Sequence, residues 1–238
     1  MSIARSGAMR PVETWFAQFL GLGDYTANSA STVQWGGALS ATGLRPFALC
    51  NTTQPDFQAW LALPDPKPVQ RITIAYGKDQ PDNCGGAPGN WGVINFNGGN
   101  NPQGETNDWS ANGYDGEVFA GGGACPDPHC YPGNPGSFNN PLDTALSGLV
   151  AAGTEFALPV FDEVTGNGAN AQFHFIYFVN VVLIDFHLTG AQDDRYMTLD
   201  FQPGLIEGSC CDNSGPNGGV KVINPCAIDN VAVNECSS

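Results

Sequence analysis

The chain has 238 residues, with 23 acidic against 8 basic side chains and a formal net charge of −15. That charge repels phosphate backbones and anionic lipid heads, which argues against nucleic-acid binding and peripheral membrane binding. Charged residues make up only 13%, and 31 Gly and 18 Pro lie between apolar runs, which describes a loop-rich globular protein long enough to bury a real core.

In chain order, Pro11 to Leu20 reads as a helix. Val12, Trp15, Phe16, Phe19 and Leu20 form one apolar stripe, and Pro11 suits a first helical position. Ala30 to Trp35 is expected as a strand. Asp56 to Leu63 predicts a short helix with Phe57, Trp60 and Leu61 on one side, stopped by Pro64, Pro66 and Pro68. Val69 to Tyr76 alternates as a strand, and Trp91 to Phe96 reads as a strand between glycines. Asn107 to Gly113 suggests a helical turn, Gly121 to Pro141 a long irregular loop, and Leu142 to Ala152 a helix.

The main strand signal is Phe156 to Gly190. Two apolar arms flank a turn rich in Gly and Asn, both tolerant of positive φ. Pro159 suits an edge or a bulge, where a missing N–H is harmless. In the second arm, Phe173, Phe175, Tyr177, Val179, Val181 and Leu183 are expected on one face. Ile176, Phe178, Val182, Ile184, Phe186 and Leu188 are expected on the other. A strand apolar on both faces is central and covered on both sides. Its uninterrupted apolar run is too short for the ~20 residues of a membrane helix. Arg195 to Phe201 and Gly219 to Ile223 add further strands. The expectation is a mostly β barrel or sandwich with two or three short peripheral helices, stabilised by disulfides. Residues 1–43 are set apart as an N-terminal helix–strand appendage, and 44–238 as the main β domain.

Eight cysteines, Cys50, Cys84, Cys125, Cys130, Cys210, Cys211, Cys226 and Cys236, lie in or beside Gly/Pro/Asn/Asp loops. An even count in such loops predicts disulfides and an oxidising, extracytoplasmic setting: secreted, periplasmic or cell surface. Cys125 and Cys130 are expected to bridge locally. Cys210 and Cys211, adjacent and awkward to pair with each other, are expected to reach partners among Cys226, Cys236, Cys50 and Cys84. Paired C-x-x-C zinc knuckles are absent from the sequence. Met1 to Arg10 carries no apolar signal core, so an export segment is expected outside this chain.

Catalytic patterns are sparse. There is no G-x-S-x-G elbow and no phosphate-binding glycine loop. His129, His174 and His187 are too dispersed for a zinc triad. The acidic pairs Asp162/Glu163 and Asp193/Asp194 read as solvated turns, with a secreted hydrolase using Asp162 or Asp194 as the minor reading. Asp162, Asn167 and Asn170, or Asp79 and Asp82, offer hard oxygens to calcium without an EF-hand spacing; otherwise no cofactor is expected. Trp91, Trp109 and Tyr114 are the contacts of an alternative carbohydrate-binding or adhesive domain.

Three pieces carry a resemblance. They are ETWFAQFLGLGDYTANSASTVQWGG with Arg45-Pro46-Phe47-Ala48-Leu49-Cys50 after it; Gly85 to Gly98, followed by Asp108-Trp109 and Asn112-Gly113; and Phe156 to Gly190. In this order they resemble the extracytoplasmic part of TadE/TadG-like proteins of the Tad (Flp-type) pilus-assembly system. The resemblance implies a non-catalytic structural or assembly protein of the envelope. Its partners would be other envelope or pilus proteins, or copies of itself, and it would meet a membrane only through a segment this chain lacks. It carries over no catalytic residues.

Overall fold

The computed structural model describes residues 2–12, 25–51, 55–75, 92–99, 102–122, 125, 129–134, 140–167, 170–189, 194–212, 218–228 and 231–232. The chain is built mostly of strands: two six-stranded sheets, a two-stranded one, and three helices among these residues, with no closed barrel.

The larger core surrounds the sheet of β4 (Leu49–Cys50), β8 (Glu155–Thr165), β9 (Gln172–His187), β10 (Tyr196–Gln202) and β5 (Gln70–Ala75), hydrogen-bonded in that order, with β7 (Cys130–Pro132) also on β9. β8 and β9 are the expected hairpin, paired from Glu155↔Val182 to Thr165↔Gln172. The side-chain phase in β9 differs from strict alternation. Tyr177 pairs with Val160 and Phe175 with Phe161, so Ile176 has no opposite number. Leu183 pairs with Leu199 and Asp185 with Thr198, so Ile184 has none either. Each extra residue shifts the phase by one. As a result Phe173, Phe175 and Phe178 belong to one core, while Tyr177, Val179, Val181, Leu183 and Leu188 belong to the other.

The first of these cores places Phe161, Phe173, Phe175 and Phe178 with Leu44, Ile94, Phe96, Trp109, Val118 and Tyr131. Tyr131 stacks on Phe175 at 4.8 Å. The second core is capped by α1 (Pro55–Leu61) and α3 (Asn140–Ala152), through Phe57, Trp60, Leu142, Leu146 and Leu149. Phe57 and Trp60 meet Phe201 at 5.0 and 5.4 Å. At β5 the sheet is wet on one side: Ile72 and Ile74 are buried, Arg71 and Thr73 exposed.

Each helix opens with proline in its first or second position: Pro55, Pro141, and Pro102 in α2 (Pro102–Asn112). There the missing N–H costs nothing, because the first turn leaves its donors unpaired anyway. α2 ends at Gly113, whose φ of 86° and N–H to the Trp109 carbonyl (2.8 Å) close the last turn. The buried Lys67 ammonium serves the end of α1, donating to the Leu61 and Leu63 carbonyls at 2.7 and 2.6 Å. Lysine there satisfies carbonyls that the helix end leaves open.

The other six-stranded sheet runs β1 (Ser2–Val12), β2 (Tyr25–Ala38), β13 (Val220–Ile228), β11 (Gly204–Leu205), with β12 (Cys210–Asp212) on β2 and β14 (Val231–Ala232) on β13. The sheets meet at a seam. Val179 bridges Gly219, and the Asn180 side chain fills the space above Gly204, where a Cβ would lie 2.4 Å from Nδ2. β3 (Ser40–Ala41) pairs with β6 (Val118–Phe119) beside it.

Several local expectations change. Pro11 and Val12 close β1 rather than open a helix, and the rest of that segment lies outside the described residues. The strand expected over Trp91–Phe96 is reduced to the single bridges Phe47↔Val93 and Ile94↔Gly133. The stretch read as an irregular loop contains β7, paired to β9 from Cys130↔His174 to Pro132↔Gln172. β2, placed in the N-terminal segment, pairs with β12 and β13 from the far end of the chain.

Candidate functional site

Two places gather polar chemistry. The first is built by the bulges of the central hairpin. Asp162 is the extra residue of β8 between Phe161, which faces Phe175, and Glu163, which faces His174. A bulge re-aims its side chain. Here the Asp162 carboxylate reaches His174 Nδ1 at 2.7 Å. His174 is only 6% exposed, and its Nε2 lies 3.3 Å from the Gly121 carbonyl. Gly121 donates to the Phe175 carbonyl (2.8 Å), and Phe175 donates to that of His129 (3.0 Å). The Cys125–Cys130 disulfide closes the segment between. Below the node the Tyr177 hydroxyl donates to Asn51 Oδ1 at 2.6 Å, and burial, followed by the charge of Asp162, pushes this phenol well above the usual tyrosine range. The two ring nitrogens of His174 lie within hydrogen-bond distance of the Asp162 carboxylate and the Gly121 carbonyl, so the ring stands as a clamp between β8, β9 and the Gly121 turn.

The second place is a groove of about 700 Å³ at the seam of the sheets, lined by Asp65, Pro66, Glu155, Leu205, Gly219 and Lys221 among others. Its size suits a small ligand or a short peptide segment. Asp65 meets Lys221 at 3.6 Å and Lys67 at 3.9 Å. Glu155 accepts from the Asn180 amide at 3.2 Å.

Beside the seam, the Glu117 carboxylate accepts from the Ser40 hydroxyl and from Ser209 Oγ (2.6 Å), while the Ser209 N–H donates to Ser40 Oγ at 2.8 Å. These hydrogen bonds, from Ser209 and then Ser40, hold Glu117 below the usual carboxylate range. Arg45 is 7% exposed, lies 5.8 Å over the Phe156 ring and donates to the Trp109 carbonyl at 3.2 Å; burial lowers its pKa.

The residues expected from sequence fall as follows. Cys125 and Cys130 are bonded to each other, and Cys50 is also disulfide-bonded. Cys210 and Cys211 lie in β12 and Cys226 in β13; Cys84 and Cys236 lie outside the described residues. Trp109 is not an exposed platform: it is 6% exposed, against Phe96 (5.7 Å) and Tyr114 (4.9 Å). Trp91 lies outside the described residues, as do Asp79, Asp82 and Asp193. Asp162 is engaged by His174 rather than by Asn167 or Asn170. His129 stands edge-on to Phe119 at 6.3 Å, and His187 stacks on Tyr196 at 6.2 Å. Among the described residues no group of three His, Cys, Asp or Glu is placed to hold a metal, and no helix is long and apolar enough to cross a membrane. The groove was not anticipated, because its lining comes from four separate stretches with no shared motif.

No protein-family model, no curated protein and no solved structure matches the chain.

Proposed function

We propose that this chain is a non-catalytic extracytoplasmic structural or assembly module, related to components of the Tad (Flp-type) pilus system, that works through protein–protein contacts. The observation that carries this reading is the outer edge of β1. Eleven residues pair with β2 on one side, and β1 is the last strand of its sheet among the described residues. An open strand edge offers backbone donors and acceptors to another chain. The Cys125–Cys130 bridge suits an oxidising compartment. The carbohydrate-binding alternative is weakened by the burial of Trp109.

The test is site-specific photo-crosslinking in the producing cell, with the reactive group at Gly7 or Ala8 in β1 and, as a control, at the exposed Thr144 of α3, away from any strand edge. Defined higher-mass adducts from β1 and none from Thr144 are expected. Adducts absent from β1, or equal at both places, would overturn the reading.

A further inference from the structure

We propose that the seam groove receives β1 of a second copy of this chain, so that copies join head to tail through the two ends of one sheet. This rests on the assembly reading above and names the partner and the site.

The sheet order places β1 at one end and β11 at the other. β11 runs parallel to β13: the Gly204 N–H donates to the Gly219 carbonyl at 3.2 Å, and the Ile206 N–H to the Lys221 carbonyl at 3.1 Å. Successive residues of a strand turn their backbone groups to opposite sides. The N–H and C=O of Leu205 therefore face away from β13, toward a side with no strand among the described residues. The Leu205 side chain is 68% exposed and lines the groove. A large exposed aliphatic beside an open backbone edge offers an added strand both an apolar contact and a hydrogen-bonding partner.

Charge selects the occupant. Lys221 is engaged by Asp65, whereas Glu155 meets only the neutral Asn180 amide and pairs with no cation among the described residues. Of the charged residues lining the groove, Asp65, Glu155 and Lys221, Glu155 is thus the one with no ion-pair partner among the described residues. β1 holds Arg5 and Arg10 and no acid, in a chain whose acids outnumber its bases 23 to 8. Joining unlike edges gives a heterologous contact that does not close on itself, so copies add in a line. With one residue of β11 supplying the backbone pair, each contact is weak, and association rises with concentration.

The probe is a synthetic peptide with the sequence of residues 2–12, acetylated and amidated, titrated into the isotope-labelled, disulfide-intact full chain. Saturable shifts of the Leu205 and Ile206 amide resonances are expected. The same peptide with Arg5→Glu and Arg10→Glu should bind at least about tenfold more weakly, and so should the unaltered peptide against the Glu155→Gln chain. An otherwise unchanged spectrum of that variant shows that it is folded. Sedimentation should show the mass of the full chain rising with concentration, and rising less for Glu155→Gln. No shift up to millimolar peptide, shifts confined to other residues, or equal binding of the acidic peptide would each overturn the proposal. If β1 cross-links in cells while Leu205 stays unmoved, the assembly reading stands and this docking falls. If neither responds, both fall.

Discussion

The hairpin sheet and the β1-to-β11 sheet close their boundaries in different ways. Around β8 and β9 both faces are packed, by helices on one side and by aromatic-rich loops on the other, and the sheet ends on the two-residue β4 at one edge and the six-residue β5 at the other. The second sheet ends on an eleven-residue strand at one side and an exposed Leu205 at the other. Apolar burial holds the first region. The seam to the second is crossed by the Val179 to Gly219 bridge and by Asp65 with Lys221, and the Glu117 contacts with Ser40 and Ser209 lie beside it. Burial is non-directional, whereas hydrogen bonds depend on distance and angle. The contrast puts the two apolar cores around the hairpin, while the contact surfaces proposed above lie on the other sheet.

The largest effect expected from breaking this contrast is Phe175→Ala. The ring is fully buried and stacked on Tyr131, so its loss should destabilise the fold by about 3–5 kcal/mol, read as a lower denaturation midpoint. Replacing Cys125 and Cys130 together by Ser opens a loop with a sequence separation of 5. Loop-closure entropy for so short a loop predicts a loss of about 2 kcal/mol in urea unfolding.

The pH profile should divide the two regions. Glu117 is held below its usual range in the fold, so its contact stabilises fully above the ordinary glutamate value and is lost as pH falls through the lower folded value. Ser209→Ala should therefore flatten the acid limb of the midpoint-against-pH curve. Tyr177 is pushed upward by burial, so its contribution is full below the ordinary tyrosine value and is lost as pH rises beyond it. Tyr177→Phe should flatten the alkaline limb and leave the acid limb intact. The smallest effect belongs to the exposed Arg71–Asp200 pair at 2.8 Å on β5 and β10, where Arg71→Ala should leave the midpoint unchanged within error.

Where the sequence carried its own period, the fold could be read from it. α1 and α3 fall within two residues of their expected bounds, because Phe57 and Trp60, and Leu142, Leu146 and Leu149, recur at helical spacing. β5, β10 and the β8–β9 hairpin follow from alternation and turn chemistry. Where structure is imposed by a neighbour, the text of the chain is silent. β7 is a strand because the edge of β9 offers it partners, not because Cys-Tyr-Pro favours extension. The bulges at Ile176 and Ile184 leave no mark in an unbroken apolar run, so the parity of β9 was misread there. The Asp162–His174 clamp was invisible for the same reason: it exists only because a bulge turns Asp162 toward His174. The Cys125–Cys130 bridge was legible, since a Pro-stiffened short loop leaves those sulfurs few other places to go.

Ile176 and Ile184 have an evolutionary corollary. A one-residue deletion at either point would restore plain alternation and exchange which aromatic or aliphatic rings each core receives on one flank. A matched pair of deletions would exchange only the segment between them. β9 therefore tolerates changes of residue more readily than changes of length, and a lineage descending from this fold should keep its count of sixteen even as its letters drift.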